Sequence, residues 1–279
     1  MKKLFCLTIF AMAVFFVSCE QSSGLGEFSV SATKKVTFSK GNLQYHQAND
    51  VWRFAENQTD YVGDANSNIS ATYNGWIDLF GWSTIATYFG VSISIDYHDY
   101  SGSFVDWGIN KIGADTPNTW RTLTSTEWNY LLNRRPNASS LHGVAQVNGV
   151  NGVVFLPDNW VCPSGVTFKS GVHSSWGVDN YAIYQSFTAN QWSKLEAAGA
   201  VFLPAAGSRQ GYIGRTYVGN MQNWGNYWSA TADDSDCAFC LYFRSDEVSM
   251  GNDDRSYGRC VRLVKDVAPE ELDSSAECN

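Results

Sequence analysis

The stretch from Gly225 to Lys265 constrains the fold of this chain more than any other part of the sequence. Bulky apolar residues frame it at both ends, with Tyr227 and Trp228 on one side and the run Val261–Val264 on the other. Between the two frames lies a mixture of Asp, Asn, Ser, Cys, Tyr and Arg, most of which hydrophobic cores exclude. The pattern predicts short strands that form a rigid scaffold and hold out a polar and aromatic surface.

The N-terminus has the composition of an export signal. Two lysines precede an apolar run, Leu4–Val17, which closes at Ser18 and Cys19. A small residue followed directly by cysteine resembles the cleavage motif of bacterial lipoproteins. The resemblance implies that residues 1–18 are removed and that Cys19 becomes a lipidated N-terminus. The alternative is an ordinary secretory signal that is cut nearby.

Lipidation implies a location as well as an anchor. The apolar run is shorter than the ~20 residues that a membrane-spanning helix needs, so lipid chains would hold the domain at a membrane surface. By the same resemblance we expect the chain in the cell envelope, anchored to the outer membrane, and the acidic Glu20 favours display on the cell surface. Residues 19–26 are then a short tether, and residues 267–279 are an acidic, disordered tail.

The composition is typical of an exported, loop-rich protein and not of a cytosolic helical enzyme. Charged residues make up 16% of the chain and aromatic residues 15%. An average soluble protein has about 25% charged residues. The net charge of −8 argues against nucleic acid as a partner, because nucleic-acid binding rewards basic patches.

The cysteines fit no recognisable framework. Seven cysteines become five if one is removed with the signal and Cys19 is lipidated, and an odd number cannot all pair. The five are Cys162, Cys237, Cys240, Cys260 and Cys278. Cys237 and Cys240 form a CxxC pair, but it lies in a strand-like run and lacks the second CxxC of a zinc site. The disulfide state stays open.

Two segments carry the strongest helix signals. Thr124 is followed three residues later by Glu127, which is a capping box, and Pro136 predicts where this helix ends. Thr188 and Gln191 repeat the same pattern further along the chain. Two main helices are therefore expected.

Short strands and long loops account for most of the remaining chain. Alternating or bounded apolar runs predict strands over Phe28–Ser31, Val36–Ser39, Leu43–Tyr45, Trp52–Phe54, Val153–Leu156 and Ala200–Pro204. Residues 83–119 are predicted as a long loop with short strands, and residues 207–225 as a glycine-rich loop. Two helices among many short strands predict an α+β fold in a single domain, residues 27–266.

The order of these segments resembles that of a known family. WRTLTSTEW lies on the first helix, GVVFLPDNW and GAVFLPAAG on strands, and GNYWSAT and GRCVRLV frame the final stretch. The series is similar to exported bacterial proteins of the Fibrobacter succinogenes major paralogous domain, over roughly residues 27–265. The resemblance implies a C-type-lectin-like fold, which formylglycine-generating enzymes share, and a ligand-binding module.

The same fold and C-terminal frame resemble variable proteins of diversity-generating retroelements. In those proteins an error-prone reverse transcriptase rewrites adenine-containing codons, and the altered residues lie on the ligand-binding face. Residue types reachable in this way from an asparagine codon occur at Asp233, Asp234, Asp236, Cys237, Phe239, Cys240, Tyr242, Arg244, Asn252, Asp253, Asp254, Ser256, Tyr257, Arg259 and Cys260. Ordinary drift among paralogues is the alternative, because polar loops are rich in Asn, Asp and Ser.

The predicted recognition surface lies within residues 225–265. Tyr and Arg provide large contact areas with few rotatable bonds, and Asp supplies polar contacts. The predicted ligand-binding residues are Asp233, Asp234, Asp236, Tyr242, Arg244, Asp253, Asp254, Tyr257 and Arg259. Those expected in the core are Leu241, Phe243, Val261 and Leu263. Phe239 could belong to either group, because its position alternates in step with Leu241, which is expected in the core. The expected ligand is a surface protein or a glycan.

Three alternatives remain open. No cofactor is expected, although the oxygens of Gly251–Asp254 could serve calcium, the hard cation that prefers such ligands. A formylglycine-generating-like enzyme is the second alternative, and the prediction is that the chain is not an enzyme. The cysteines lack that family's motif context, and the four histidines are scattered at His46, His98, His142 and His173. The third alternative is a subunit of a surface assembly.

Overall fold

The computed structural model describes residues 26–70, 72–174, 180–212 and 215–268. Cys19 and Cys278 lie outside these ranges, as do the signal peptide and most of the predicted tether and tail. Within the ranges, no helix combines the length and the apolar character needed to cross a membrane.

The described residues form a mixed helix and strand structure, which confirms the predicted α+β class. The α-helices are α1 (Ser125–Asn133), α2 (Tyr181–Tyr184) and α3 (Ala189–Ala197). Short 3-10 helices lie at Gln47–Asn49, Gly63–Asn68, Ile85–Thr87, Tyr97–Tyr100, Trp107–Ile109 and Ala138–Ser140. The strands are β1 (Phe28–Ser29), β2 (Lys35–Phe38), β3 (Leu43–His46), β4 (Val51–Phe54), β5 (Trp76–Ile77), β6 (His142–Val147), β7 (Val150–Phe155), β8 (Ser186–Phe187), β9 (Val201–Pro204), β10 (Ser208–Tyr212), β11 (Arg215–Gly219), β12 (Gly225–Ala232), β13 (Cys237–Arg244), β14 (Glu247–Asp254) and β15 (Val264–Asp266).

Both predicted capping boxes are present. In α1, the Thr124 hydroxyl accepts a hydrogen bond from the Glu127 backbone N–H at 3.2 Å, and the Glu127 carboxylate accepts from the Thr124 N–H at 2.9 Å. Thr188 and Gln191 make the same reciprocal pair at the start of α3. Such caps satisfy backbone donors that a helix leaves unpaired at its first turn. The two main helices therefore begin where the sequence predicts.

The strands form small sheets. Four sheets have three or four strands, in the orders β12-β13-β14, β8-β6-β7-β9, β4-β3-β5 and β1-β2-β15, and β10 and β11 form a fifth sheet of two strands. The first of these is an antiparallel meander of three strands and contains most of the predicted recognition surface. In β1-β2-β15, the last strand pairs with β2 near the start of the domain. This pairing joins the two ends of the described chain.

Hydrophobic side chains cover both faces of the β12-β13-β14 sheet. Side chains alternate between faces along a strand. Leu241 and Phe243 therefore point towards the cluster that contains Trp128 of α1, while Cys240 points towards the cluster that contains Val261. All four residues predicted for the core, Leu241, Phe243, Val261 and Leu263, are fully buried. The frame is thus a core element, as the sequence predicts.

One sequence prediction about a loop is wrong, and a second is wrong in its strands. Residues 207–225 do not form a glycine-rich loop, because β10 and β11 pair there as an antiparallel hairpin. The described residues between 83 and 119 contain 3-10 helices and isolated bridges in place of the expected short strands. Strand β6 was also not predicted, although it pairs along its whole length with β7. For β6, β10 and β11, tertiary pairing outweighs a weak local signal.

Candidate ligand-binding surface

The predicted site residues divide between the two ends of the β13-β14 hairpin. Arg244 lies beside the turn that joins β13 to β14. The aspartates and Tyr257 lie at the opposite end, about 23 Å away along an eight-residue strand. We call the set Asp233, Asp234, Asp236, Asp253, Asp254, Tyr257 and Arg259 the acidic end, and residues 244–247 the turn end. One predicted surface is therefore two separate regions.

Tyr242 lies between the two ends and belongs to neither. It is half-buried, and its ring centroid is 6.1 Å from that of Trp224 and 6.0 Å from the Arg244 guanidinium carbon. At the turn end, Arg244 forms ion pairs with Asp246 at 3.1 Å and Glu247 at 3.5 Å. Arg244 is thus held by its own neighbours in sequence.

The turn between β12 and β13 displays carboxylates on a fixed backbone. Asp234 accepts hydrogen bonds from the backbone N–H groups of Asp236 at 2.8 Å and Cys237 at 2.6 Å. These bonds hold the pKa of Asp234 below its usual value, because they favour the charged form. Asp233 is exposed and accepts from the Asn252 side-chain amide. The loop therefore presents the Asp234 carboxylate to solvent in its ionised form, beside exposed Asp233.

Arg259 corrects the prediction that this residue is displayed. Its side chain is only 4% exposed, and its guanidinium forms an ion pair with Asp253. Its backbone also bridges to Phe80, which pulls the residue inward. Its Nε and Nη1 atoms are buried and have no hydrogen-bond partner among the described residues. Arg259 is therefore an anchor beneath the surface and not a contact residue on it.

Arg255 is a second anchor, which the sequence reasoning missed. It is 4% exposed, and its guanidinium donates to the carbonyl of Tyr100 at 3.0 Å, that of Cys237 at 3.2 Å and that of Asp234. It also lies 4.4 Å from the ring centroid of Trp82. These bonds tie the acidic turn to a segment more than a hundred residues earlier. Residue type alone does not distinguish such an arginine from an exposed one.

The electrostatic effects of the carboxylates overlap at the acidic end. Burial and four neighbouring carboxylates, those of Asp234, Asp254, Asp233 and Asp253, raise the pKa of the Cys237 thiol. Burial and two of the same carboxylates raise the pKa of Tyr257. Both effects mean that a further negative charge is unfavourable here. The acidic end therefore favours cationic or hydrogen-bond-donating groups on a ligand.

Exposed apolar side chains lie beside the acidic end. Ile93 is 52% exposed, Ile95 46% and Tyr217 49%. Ile95 touches Gly211 in β10, and Tyr217 lies close enough to Tyr257 to affect its pKa. Both of their segments were predicted as loops, so these residues were not among the predicted contacts. An alternation of apolar and polar residues at Val91–Ile95 was the available signal.

The described residues contain no group of three His, Cys, Asp or Glu side chains arranged to hold a metal ion. At the acidic end, Asp234 is occupied by backbone N–H groups and Asp253 by Arg259. These hydrogen bonds and this ion pair reduce the number of carboxylate lone pairs that could coordinate calcium. The calcium alternative stays a prediction.

The four cysteines within the described residues are free, and the two buried ones are poorly suited to nucleophilic chemistry. Cys162, Cys237, Cys240 and Cys260 form no disulfide with one another. Burial raises the pKa of Cys240 to about 12 and that of Cys260 well above its usual value. Since the thiolate is the reactive form, both thiols are held in the unreactive state.

The residues of the retroelement-like set lie at different depths. Cys240, Ser256, Arg259 and Cys260 are buried, so a change at these positions would alter the core. Phe239 lies on the same face as Leu241 but is only half-buried, so its burial does not assign it to the core or to the ligand-contacting surface. Asp233, Asp234 and Asn252 are exposed. Only part of the set is therefore available to a ligand.

No family model matches the chain, and no curated protein or solved structure shows significant similarity to it.

Proposed function

We propose that this chain is a cell-envelope lipoprotein that binds a surface protein or a glycan through its acidic end. One observation carries the proposal. Exposed carboxylates stand on loops whose backbone is tied down by a buried arginine, Arg255, beside exposed Ile93, Ile95 and Tyr217. A pre-organised polar and apolar surface of this kind loses little conformational entropy on binding.

The geometry favours binding over catalysis. The acidic end offers carboxylates in defined positions, but its neighbouring thiol at Cys237 has a raised pKa and is not activated. An exposed tyrosine and two exposed isoleucines are the residue types from which interface anchors are built. A ligand with basic or hydrogen-bond-donating groups around an apolar centre would complement this surface.

The finer fold assignment is part of the same proposal. A C-type-lectin-like fold is supported by the way in which each segment of the resemblance forms its expected element. WRTLTSTEW contains the start of α1, GVVFLPDNW the end of β7, and GNYWSAT lies in β12. The final segment, GRCVRLV, returns to the core between two buried faces.

Binding is tested with two substitutions at exposed positions, Asp233→Ala and Tyr217→Ala, combined in one variant. The probes are an array of glycans and an array of purified bacterial surface proteins. We expect a ligand that the wild-type chain retains and whose affinity the variant lowers by about tenfold or more. Ile183→Ala is the matched control, because Ile183 is 63% exposed but lies in α2, which packs on β6 and β7. Equal binding by the variant and the wild type would refute the proposed site.

The lipid anchor is tested by mass spectrometry of the mature N-terminal peptide. We expect the mass of a diacylglycerol-modified Cys19, and release of the Cys19→Ser variant from membranes. An unmodified N-terminus at another residue would instead show an ordinary secretory signal.

Diversification of the acidic end is a further part of the proposal. It predicts a near-copy of the 3′ region in the neighbouring DNA that differs only at adenines, together with a reverse transcriptase gene. Sequencing of the locus tests this directly. If no such copy exists, the surface is one of fixed specificity.

A further inference from the structure

An open cleft at the turn end, with a volume of about 630 Å³, lies between the C-terminal part of α1 and the β13-β14 turn. Its size is within the range of small-molecule sites. Its polar lining comes from chain segments that are far apart in sequence, namely Asn133, Asn137, Ser139, His142, Asp246 and Glu247. The cleft is separated from the acidic end by the length of β13, so the proposed function does not account for it.

His142 offers a hydrogen-bond acceptor to this cleft. Its Nδ1 lies 3.0 Å from the carbonyl oxygen of Ala138, and since that oxygen can only accept, Nδ1 must carry the proton. Burial, followed by the nearby Arg135 charge, lowers the pKa of His142, so the ring is neutral. Nε2 is then unprotonated. It has no hydrogen-bond partner among the described residues, and it is not among their fully buried unpaired atoms. It is therefore open to the cleft.

Two carboxylates provide further acceptors on the other wall. Asp246 and Glu247 both pair with Arg244, and Glu247 also accepts from the Ser249 hydroxyl at 2.8 Å. Each carboxylate can accept about four hydrogen bonds, so lone pairs remain on both. Arg135, which also lines the cleft, is balanced by Asp158 at 3.2 Å. The cleft is therefore rich in acceptors and carries a small negative charge.

The cleft also contains donors and an apolar floor. Asn137 and Ser139 are exposed, so their amide and hydroxyl groups are accessible. Leu132, Val172 and Val248 line the same cleft. Acceptors, donors and small apolar patches within one cleft match a molecule that has hydroxyl groups at its edge and C–H groups on its faces.

We propose that this cleft is a binding site for a small polyhydroxylated molecule with the chemistry of a monosaccharide. Ligand hydroxyls donate to His142 Nε2 and to the carboxylates of Asp246 and Glu247, and they accept from Asn137 and Ser139. A phosphate or carboxylate ligand is disfavoured by the two acidic side chains. A metal ion would need ligands that converge on one point, and the described residues contain no such group.

The proposal is tested by NMR titration of the full chain, in a detergent that contains no sugar, with D-glucose as the probe. The backbone amide signals of Val172 and Val248, which line the cleft, report on binding in the wild type and in every variant. We expect them to shift and saturate with glucose. We expect His142→Asn to weaken binding by about tenfold, the value of roughly one hydrogen bond, because asparagine keeps a donor for Ala138 and removes the Nε2 acceptor. Glu247→Gln should weaken binding as well.

Four outcomes of the experiment would overturn the proposal. Absence of any saturable shift at Val172 and Val248 with glucose would refute the site. A glucose affinity in His142→Asn and Glu247→Gln equal to that of the wild type would refute it as well. Loss of glucose binding in Asp233→Asn, with the cleft variants unaffected, would place the sugar at the acidic end instead. Saturable shifts with methylammonium chloride but not with glucose would show that the cleft selects a cation, which also refutes the proposed ligand class. Thermal unfolding of each variant verifies that it is folded.

Discussion

The two ends of the β13-β14 hairpin use arginine in opposite ways. At the acidic end Arg255 and Arg259 are buried under the loops that they support, and Asp233 and Asp234 face solvent. At the turn end Arg244 is half-buried and is held by two carboxylates that follow it in sequence. The difference shows that residue type in this stretch does not reveal which side chains support the surface and which form it. Burial decides that, and burial depends on distant segments.

The largest effect is expected from Arg255→Ala. The substitution removes the guanidinium hydrogen bonds to the carbonyls of Tyr100, Cys237 and Asp234, and it removes the packing on Trp82. Hydrogen bonds from a charged group contribute about 1.5–3 kcal/mol each, and they are not additive. We expect a loss of about 4 kcal/mol in the free energy of unfolding, measured by chemical denaturation.

Arg255→Lys is the control for this variant. Lysine keeps the positive charge, but it lacks the planar guanidinium group with which arginine reaches three separated carbonyls. We expect the lysine variant to lose at least half as much unfolding free energy as the alanine variant loses. If Arg255→Ala unfolds at the wild-type denaturant concentration, Arg255 is not an anchor and the contrast between the two ends fails.

The second prediction compares two carboxylates that accept similar hydrogen bonds. Asp78 accepts from the Asn66 amide and the Val62 N–H, each at 2.8 Å, yet burial raises its pKa to about 6. Exposed Asp234 also accepts two N–H bonds, and its pKa is lowered. Between pH values near 4 and near 6 the unfolded chain has released the Asp78 proton and the native chain retains it. The contribution of Asp78 to stability therefore falls as pH rises through this window and is constant above it.

Asp78→Asn removes this titration. The shift from 3.8 to about 6 corresponds to about 3 kcal/mol. Relative to wild type, the asparagine variant should therefore gain about 3 kcal/mol of unfolding free energy between about pH 4 and pH 7. The relevant quantity is the difference between the unfolding free energies of the two proteins, since the lowered pKa of His142 adds a pH dependence of the opposite sign to both. A difference that does not change with pH would show that Asp78 is ionised normally in the native state.

The smallest effect is expected from Arg244→Ala. Its ion pairs with Asp246 and Glu247 involve partly exposed groups, and such pairs contribute about 0–1 kcal/mol. We expect a loss below about 1 kcal/mol, which disappears in high salt because exposed charges are screened. A loss as large as that of Arg255→Ala would mean that the turn end is anchored in the same way as the acidic end.

Local patterns predicted much of the scaffold. The capping boxes at Thr124 and Thr188 are complete within four residues, so their signals need no tertiary information. Alternation along β13 likewise predicted that Leu241 and Phe243 are buried. The β10-β11 hairpin was missed because its glycines and polar residues carry little strand signal of their own. Its pairing with distant Gly258 and its packing beside Ile95 stabilise it instead.

The sequence by itself determined the α+β class, the start of both main helices and the division of the last stretch into an apolar frame and a polar filling. These features follow from periods of 2 and 3.6 residues and from side chains that bond their near neighbours. Only the tertiary structure decided that Arg255 and Arg259 lie inside, that Ile93 and Tyr217 join the acidic end, and that Asp246 and Glu247 line a separate cleft. Each of these outcomes depends on contacts between segments that are far apart in the chain, and no local pattern encodes such contacts.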